Sequence, residues 1–147
     1  MLVALREVDM RHAVVAFGLL AWVASAMGGD MWIRKGGSLW AECEAGGAIR
    51  IDGSIVGSVE EDGTVRRGGS IVGEVEPSGT IREDGSIVGE VEADGTLRRN
   101  GSIIGEIDDG GTIRRDGCIW GTVELDSCDL SCKHVVAAEL FFFSGDF

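Results

Sequence analysis

Gly69-Ser70-Ile71-Val72-Gly73-Glu74-Val75-Glu76-Pro77-Ser78-Gly79-Thr80-Ile81-Arg82-Glu83-Asp84 is the stretch that decides the fold. Its opening five residues return as Gly53-Ser54-Ile55-Val56-Gly57, Gly85-Ser86-Ile87-Val88-Gly89 and Gly101-Ser102-Ile103-Ile104-Gly105. Altered copies stand at Gly37-Ser38-Leu39-Trp40-Ala41 and Gly117-Cys118-Ile119-Trp120-Gly121, always sixteen residues apart. A second motif, Gly79-Thr80-Ile81-Arg82, recurs from Gly63, Gly95 and Gly111, and as Gly47-Ala48-Ile49-Arg50. Self-similarity at a fixed period marks a chain built from one small unit that cannot bury its apolar face alone.

Within the unit, Ser70 to Glu76 alternates in polarity, which is a strand period. Ile71, Gly73 and Val75 are expected on an inner face, with Ser70, Val72, Glu74 and Glu76 outside. Pro77-Ser78-Gly79 reads as a three-residue turn, with glycine in the left-handed position. Thr80-Ile81-Arg82 is a short return strand. Reading Glu83-Asp84-Gly85 as a second three-residue turn opposes Ile81 to Ile87 and Arg82 to Ser86, so aliphatic meets aliphatic on the inner face. A two-residue turn there would oppose Arg82 to Ile87 and break that pattern. The first turn sets Glu74 opposite Arg82 and Val75 opposite Ile81. The same spacing pairs Glu42 with Arg50, Glu90 with Arg98 and Glu106 with Arg114, read as solvated ladder pairs rather than a recognition surface.

The two ends of the repeat region complement each other. Trp32-Ile33-Arg34 aligns with the return half of a unit, and Cys118 to Glu124 is a first half with no proper second. Pairing Ile33 with Val123 and Arg34 with Thr122 would make a sixth hairpin and shut a ring, removing the two edges of an open meander. The expected fold is therefore all-β, a closed ring of about six two-stranded hairpins.

Upstream, Met10-Arg11-His12 leads into an uncharged apolar run from Ala13 to Ala24, followed by Ala24-Ser25-Ala26. A basic start, a short apolar stretch and a small-x-small exit read as a secretory signal peptide, too short for a membrane span. The organisation expected is a signal peptide over 1–26, a hairpin-repeat domain over 27–125 and an apolar C-terminal segment over 126–147. Glu7 and Asp9 sit awkwardly in a signal, which makes Met10 an alternative start. Export places the protein in the periplasm or outside the cell, with no stable membrane span after cleavage.

The C-terminal run from Lys133 to Phe143 is too apolar for water and is read as an extended segment covering one end of the ring or entering its centre; left exposed, it would allow self-association. All four cysteines, Cys43, Cys118, Cys128 and Cys132, lie in the exported part. Disulfides are the expected state there, with Cys128 joined to Cys132 or to Cys118, and Cys43 filling an inner valine position. Zinc on Cys128, Cys132 and His134 lacks a fourth ligand. No metal and no cofactor is expected.

Tandem Gly-Ser-Ile-Val-Gly units behind an export signal, ending in Ala137-Ala138-Glu139-Leu140-Phe141-Phe142-Phe143, resemble the bacterial β-flower repeat proteins over residues 30–143. The resemblance implies hairpins set as petals about a pseudo-rotational axis, and implies no activity. That group is associated with four or five petals, whereas six are counted here.

The chain of 147 residues carries a net charge of −12, which excludes a phosphate-binding face and hence nucleic acid as a partner. The part expected to mature has one histidine, His134, and no nucleophile elbow or phosphate loop, so no enzyme is expected. The leading expectation is a non-catalytic structural or protein-interaction protein, its partner a protein bound through the acidic outer face or the phenylalanine-rich end. The alternative is a carbohydrate- or calcium-binding module. For sugars, Trp32, Trp40 and Trp120 would come together at the closure; a packed seam is the plainer use of the same residues. For calcium, the turn acids Asp52, Asp62, Asp84, Asp94 and Asp116 are available, but Asp-Gly alone lacks the multi-ligand loop calcium needs.

Overall fold

The computed structural model describes residues 30–125 and 128–147. The expected signal peptide lies outside them. Twelve antiparallel strands form one closed barrel. The strands are β1 (Met31–Lys35), β2 (Ser38–Cys43), β3 (Ala48–Ile51), β4 (Ser54–Val59), β5 (Thr64–Arg67), β6 (Ser70–Val75), β7 (Thr80–Glu83), β8 (Ser86–Val91), β9 (Thr96–Arg99), β10 (Ser102–Ile107), β11 (Thr112–Arg115) and β12 (Cys118–Glu124). β1 pairs with β12, Ile33 opposite Val123 and Arg34 opposite Thr122, so the first and last half-units zip into the sixth hairpin. No edge is left unpaired, which is what keeps so short-stranded a sheet from adding further chains.

The turns alternate between the two ends of the barrel. At one end the three-residue turns hold as read: Val75 faces Ile81 and Glu74 faces Arg82, and Gly79 sits at φ 92°. Glycine is needed there twice over, because a Cβ at Gly79 would also lie 2.1 Å from the Val91 carbonyl oxygen.

The opposite turns correct the sequence reading. Asp84 and Gly85 have φ of 49° and 81°, and Glu83 pairs with Ser86: this is a two-residue turn of the primed type, which demands positive φ at both positions. Arg82 therefore does face Ile87, and Ile81 faces Gly89. The inner pattern survives because Val88 is left unopposed as a β-bulge, and the bulge returns the strand to register. The same shift occurs beside β1, β3, β5, β9 and β11. Its consequence inverts the expected faces at the strand starts. Leu39, Ile55, Ile71, Ile87, Ile103 and Ile119 point outward, 52 to 64% exposed, whereas the bulge residues Trp40, Val56, Val72, Val88, Ile104 and Trp120 pack against the core.

The C-terminal segment is not extended. It forms helix α1 (Leu130–Glu139), followed by a π-helical turn over Leu140–Ser144. From Cys132 to Phe142 every residue is buried, and the helix shares one apolar cluster with the inner residues of all twelve strands. A helix buried on all sides suits a lumen rather than a surface. Asp129 caps it by accepting from the Cys132 N–H at 2.9 Å, and the Lys133 ammonium reaches the Asp109 carboxylate at 2.5 Å. Beyond the helix the phenylalanine rings fan out onto the strand glycines. A Cβ at Gly57, Gly73 or Gly89 would lie within 2.8 Å of the rings of Phe143, Phe142 and Phe141 respectively, and one at Gly105 would lie 2.9 Å from Phe147. The inner glycine thus makes room for the plug's rings. No helix among the described residues is long and apolar enough to cross a membrane.

Candidate functional site

The helix occupies the lumen, and a row of repeated grooves lies on the outside of the ring. There the bulge has set one exposed aliphatic side chain on each unit, and beside it lies an arginine that in five of the six units is held by the glutamate at the turn. The Arg82 Nε donates to Glu76 at 2.5 Å and its Nη1 to the Gly85 carbonyl at 3.3 Å. Arg50 and Arg98 repeat this on Glu44 and Glu92, at 2.5 and 2.6 Å. Arg66 holds Glu60 in the same way, and Arg34 holds Glu124 across the closure. The shortest pairing is thus with the glutamate at the turn, not with the ladder partner eight residues back. In each of Arg50, Arg82 and Arg98 the bond to that turn glutamate pushes the guanidinium's pKa further up.

Isoleucine, bulge and arginine together frame a shallow groove. The one at Ile71 has a volume of about 280 Å³ and is lined also by Glu74, Arg82 and the Asp84-Gly85 turn. Equivalent grooves of about 190 Å³ lie at Ile87, with Glu90 and Arg98, and at Ile103, with Glu106 and Arg114. The grooves can offer an apolar contact, a carboxylate and a guanidinium.

Trp40 and Trp120 do meet, edge to face with centroids 5.2 Å apart. Trp120 also packs on Phe147 and donates from its indole N–H to Asp146 at 3.0 Å. Asp146 in turn takes the Lys35 ammonium at 2.6 Å, and that bond holds its carboxyl below the usual range, helped by Trp120. The pair flanks the closing strand β1, Trp40 on β2 and Trp120 on β12, where the plug's Phe147 meets it. Trp32 stands apart from it, on the outer face in the threonine place of its unit, 37% exposed.

Cys128 and Cys132 form a disulfide; Cys43 is a buried thiol and Cys118 an exposed one. Cys43 occupies the inner place held by Val59, Val75, Val91, Ile107 and Val123 elsewhere, and burial pushes its thiol far up. Asp62 and Asp94 accept the backbone N–H of Thr64 and Thr96, which holds their carboxyls down. Among the described residues no three His, Cys, Asp or Glu side chains converge as a metal site. The phenylalanine-rich end is largely spent inside the ring: Phe141 and Phe147 are 7% exposed, and Phe143 is half-buried.

Two features escaped the sequence reading. The exposed aliphatic girdle follows from the turn type, and Gly36-Gly37, Asp52-Gly53, Gly68-Gly69, Asp84-Gly85, Asn100-Gly101 and Asp116-Gly117 are all favoured pairs for a primed two-residue turn. The second is Glu139, which is wholly buried, with neither carboxylate oxygen hydrogen-bonded. Burial raises its pKa from 4.5 to about 8. A lone glutamate in an apolar run was its only trace in the sequence. Compared with protein families, characterised proteins and solved structures, the chain matches none of them.

Proposed function

We propose that the chain is a non-catalytic exported protein of the β-flower type, with a structural or protein-interaction role in the periplasm or at the cell surface. It engages its partner through the outer face of the ring. The observation that carries this reading is the girdle of six exposed aliphatic side chains, repeated at one place in every unit. Strand packing does not call for them, since they face away from the core, and their repetition at one place in every unit gives a partner a regular row of apolar contacts set between charged side chains. The filled lumen supports a binding role over catalysis, because an enzyme needs a concave site with convergent polar groups. Export is supported by the apolar run from Ala13 to Ala24 and by the Cys128–Cys132 disulfide, which suits an oxidising compartment.

A photo-cross-linking residue at Ile87, in cells producing the full chain, is expected to yield a discrete adduct with another polypeptide. The same residue at the inward Val91 is expected to yield none. Adducts with glycan alone, or none from any of the six outer positions, would overturn the reading. Cell fractionation with sequencing of the mature amino terminus tests export, with a start after Ala26 expected.

A further inference from the structure

The outer face is not uniform around the ring. Three neighbouring units join an exposed isoleucine to a glutamate three residues on: Ile71 with Glu74, Ile87 with Glu90, Ile103 with Glu106. The units of Ile55 and Ile119 put Ser58 and Thr122 at that place; the unit of Leu39 keeps Glu42.

In the first two of the three, the glutamate is a surplus anion. Arg82 is already held by Glu76 and stands 3.9 Å from Glu74. Arg98 is held by Glu92 and stands 3.7 Å from Glu90. Neither longer contact is a hydrogen bond. In the third unit Arg114 has Glu106 at 3.4 Å, because Asp108 is turned onto the Thr112 N–H instead. The side chains of Glu74, Glu90 and Glu106 are 47, 50 and 52% exposed. Each thus offers carboxylate lone pairs to the solvent beside an isoleucine that is 60 to 62% exposed.

We infer that the arc from Ile71 to Glu106 docks a cationic polypeptide bearing aliphatic side chains, which lie on Ile71, Ile87 and Ile103 while its lysine or arginine heads take Glu74, Glu90 and Glu106. The inference rests on the interaction reading above and gives its partner a chemistry. The net charge of −12 steers such a partner in. It repels an acidic protein, and it repels a second copy of this chain, which carries the same surplus. A neutral glycan supplies nothing for the three carboxylates.

The test uses the full chain and a fluorescent synthetic peptide of alternating lysine and leucine, followed by anisotropy. Binding is expected, weakened about tenfold or more by Ile71→Ser/Ile87→Ser/Ile103→Ser and likewise by Glu74→Gln/Glu90→Gln/Glu106→Gln. Removing three acids outside the arc, in Asp52→Asn/Glu61→Gln/Asp62→Asn, is expected to change it less than about twofold. All three variants alter outer-face or turn positions, and unchanged urea midpoints check that they fold. Equal affinity for a lysine–serine peptide, or equal loss from the acids outside the arc, would reduce the binding to diffuse attraction and overturn the proposal. So would preference for a glutamate–leucine peptide, or self-association that the isoleucine variant abolishes. A polypeptide adduct at Ile87 without lysine–leucine binding sinks the cationic assignment alone; loss of both sinks the interaction reading with it.

Discussion

Glu139 should make the stability of the ring fall as pH rises, in a range where most proteins are near their optimum. Its carboxyl is wholly buried and unbonded, so the folded state keeps the proton until about pH 8, whereas the unfolded chain releases it near 4.5. Between those values the folded state binds more protons than the unfolded one, and stability drops with each step in pH. The full difference of 3.5 units, 8 minus 4.5, corresponds to about 5 kcal/mol at 1.36 kcal/mol per unit. At pH 7, 2.5 of those units have been crossed, or about 3 kcal/mol. Above pH 8 both states are ionised and the loss levels off.

The perturbation is Glu139→Gln, which keeps the shape and stays neutral. Urea unfolding, followed by the fluorescence of the tryptophans at the plug, should be measured for both chains at pH 5, 7 and 9. His134 opposes the trend: burial lowers its pKa from 6.5 to about 4, so its stability contribution is lost as pH falls through that window. It is common to both chains and cancels in the difference. The Gln variant is expected to match the parent near pH 5 and to exceed it by about 3 kcal/mol at pH 7 and about 5 kcal/mol at pH 9. A difference that does not change with pH would refute the reasoning, because it would mean Glu139 finds water or a cation in the folded lumen.

The remaining predictions test the architecture. Ile81→Ala, at an inward position with 0% exposure, should cost about 2–5 kcal/mol, while Ile87→Ala, 60% exposed, should stay within about 0.5 kcal/mol; equal costs in urea titrations would restore the unbulged register. Gly73→Ala forces a Cβ to 2.2 Å from the Arg82 carbonyl oxygen and 2.5 Å from Phe142, so its midpoint should fall by more than that of Gly85→Ala, where only a φ of 81° is at issue and about 1–2 kcal/mol is at stake. Cys128→Ser/Cys132→Ser should lower stability by about 2 kcal/mol for so short a loop, and Cys118→Ser should lower it by less than about 0.5 kcal/mol; the reverse order would mean that the pairing is wrong.

The ring itself was legible because its causes are local and repeated. Sixteen-residue periodicity, alternation from Ser70 to Glu76 and complementary half-units at Ile33 and Val123 each state one pairing, and together they leave closure as the way to hide both edges. The error came from counting faces by alternation alone. One bulge residue per unit, Val72 in the quoted stretch, shifts the strand start to the opposite face, and only the turn chemistry at Asp84-Gly85 announces it. The helix was hidden for a different reason. Val135 to Phe143 has no amphipathic period because every side is buried, and an apolar run that short reads equally well as a strand.

Departures from the repeat become intelligible once a single asymmetric plug is placed inside a six-fold ring. Neighbouring units are about 60° apart, whereas successive side chains on an α-helix turn by about 100°. Opening the last turn to π geometry reduces that step, and lets Phe141, Phe142 and Phe143 reach three adjacent glycines, Gly89, Gly73 and Gly57. The two remaining units carry Trp40 and Trp120 in place of valine or isoleucine, Trp120 packing on Phe147, and one of them exchanges glycine for Ala41. Inner-face departures therefore follow the plug. Outer-face departures do not: Ser58 and Thr122 face away from it, and no core contact selects serine or threonine over glutamate there. What they do is interrupt the run of isoleucine–glutamate grooves, confining three adjacent ones to a single arc. The proposed cationic partner, approaching from one direction, would account for an asymmetry on the outside that the inside does not require.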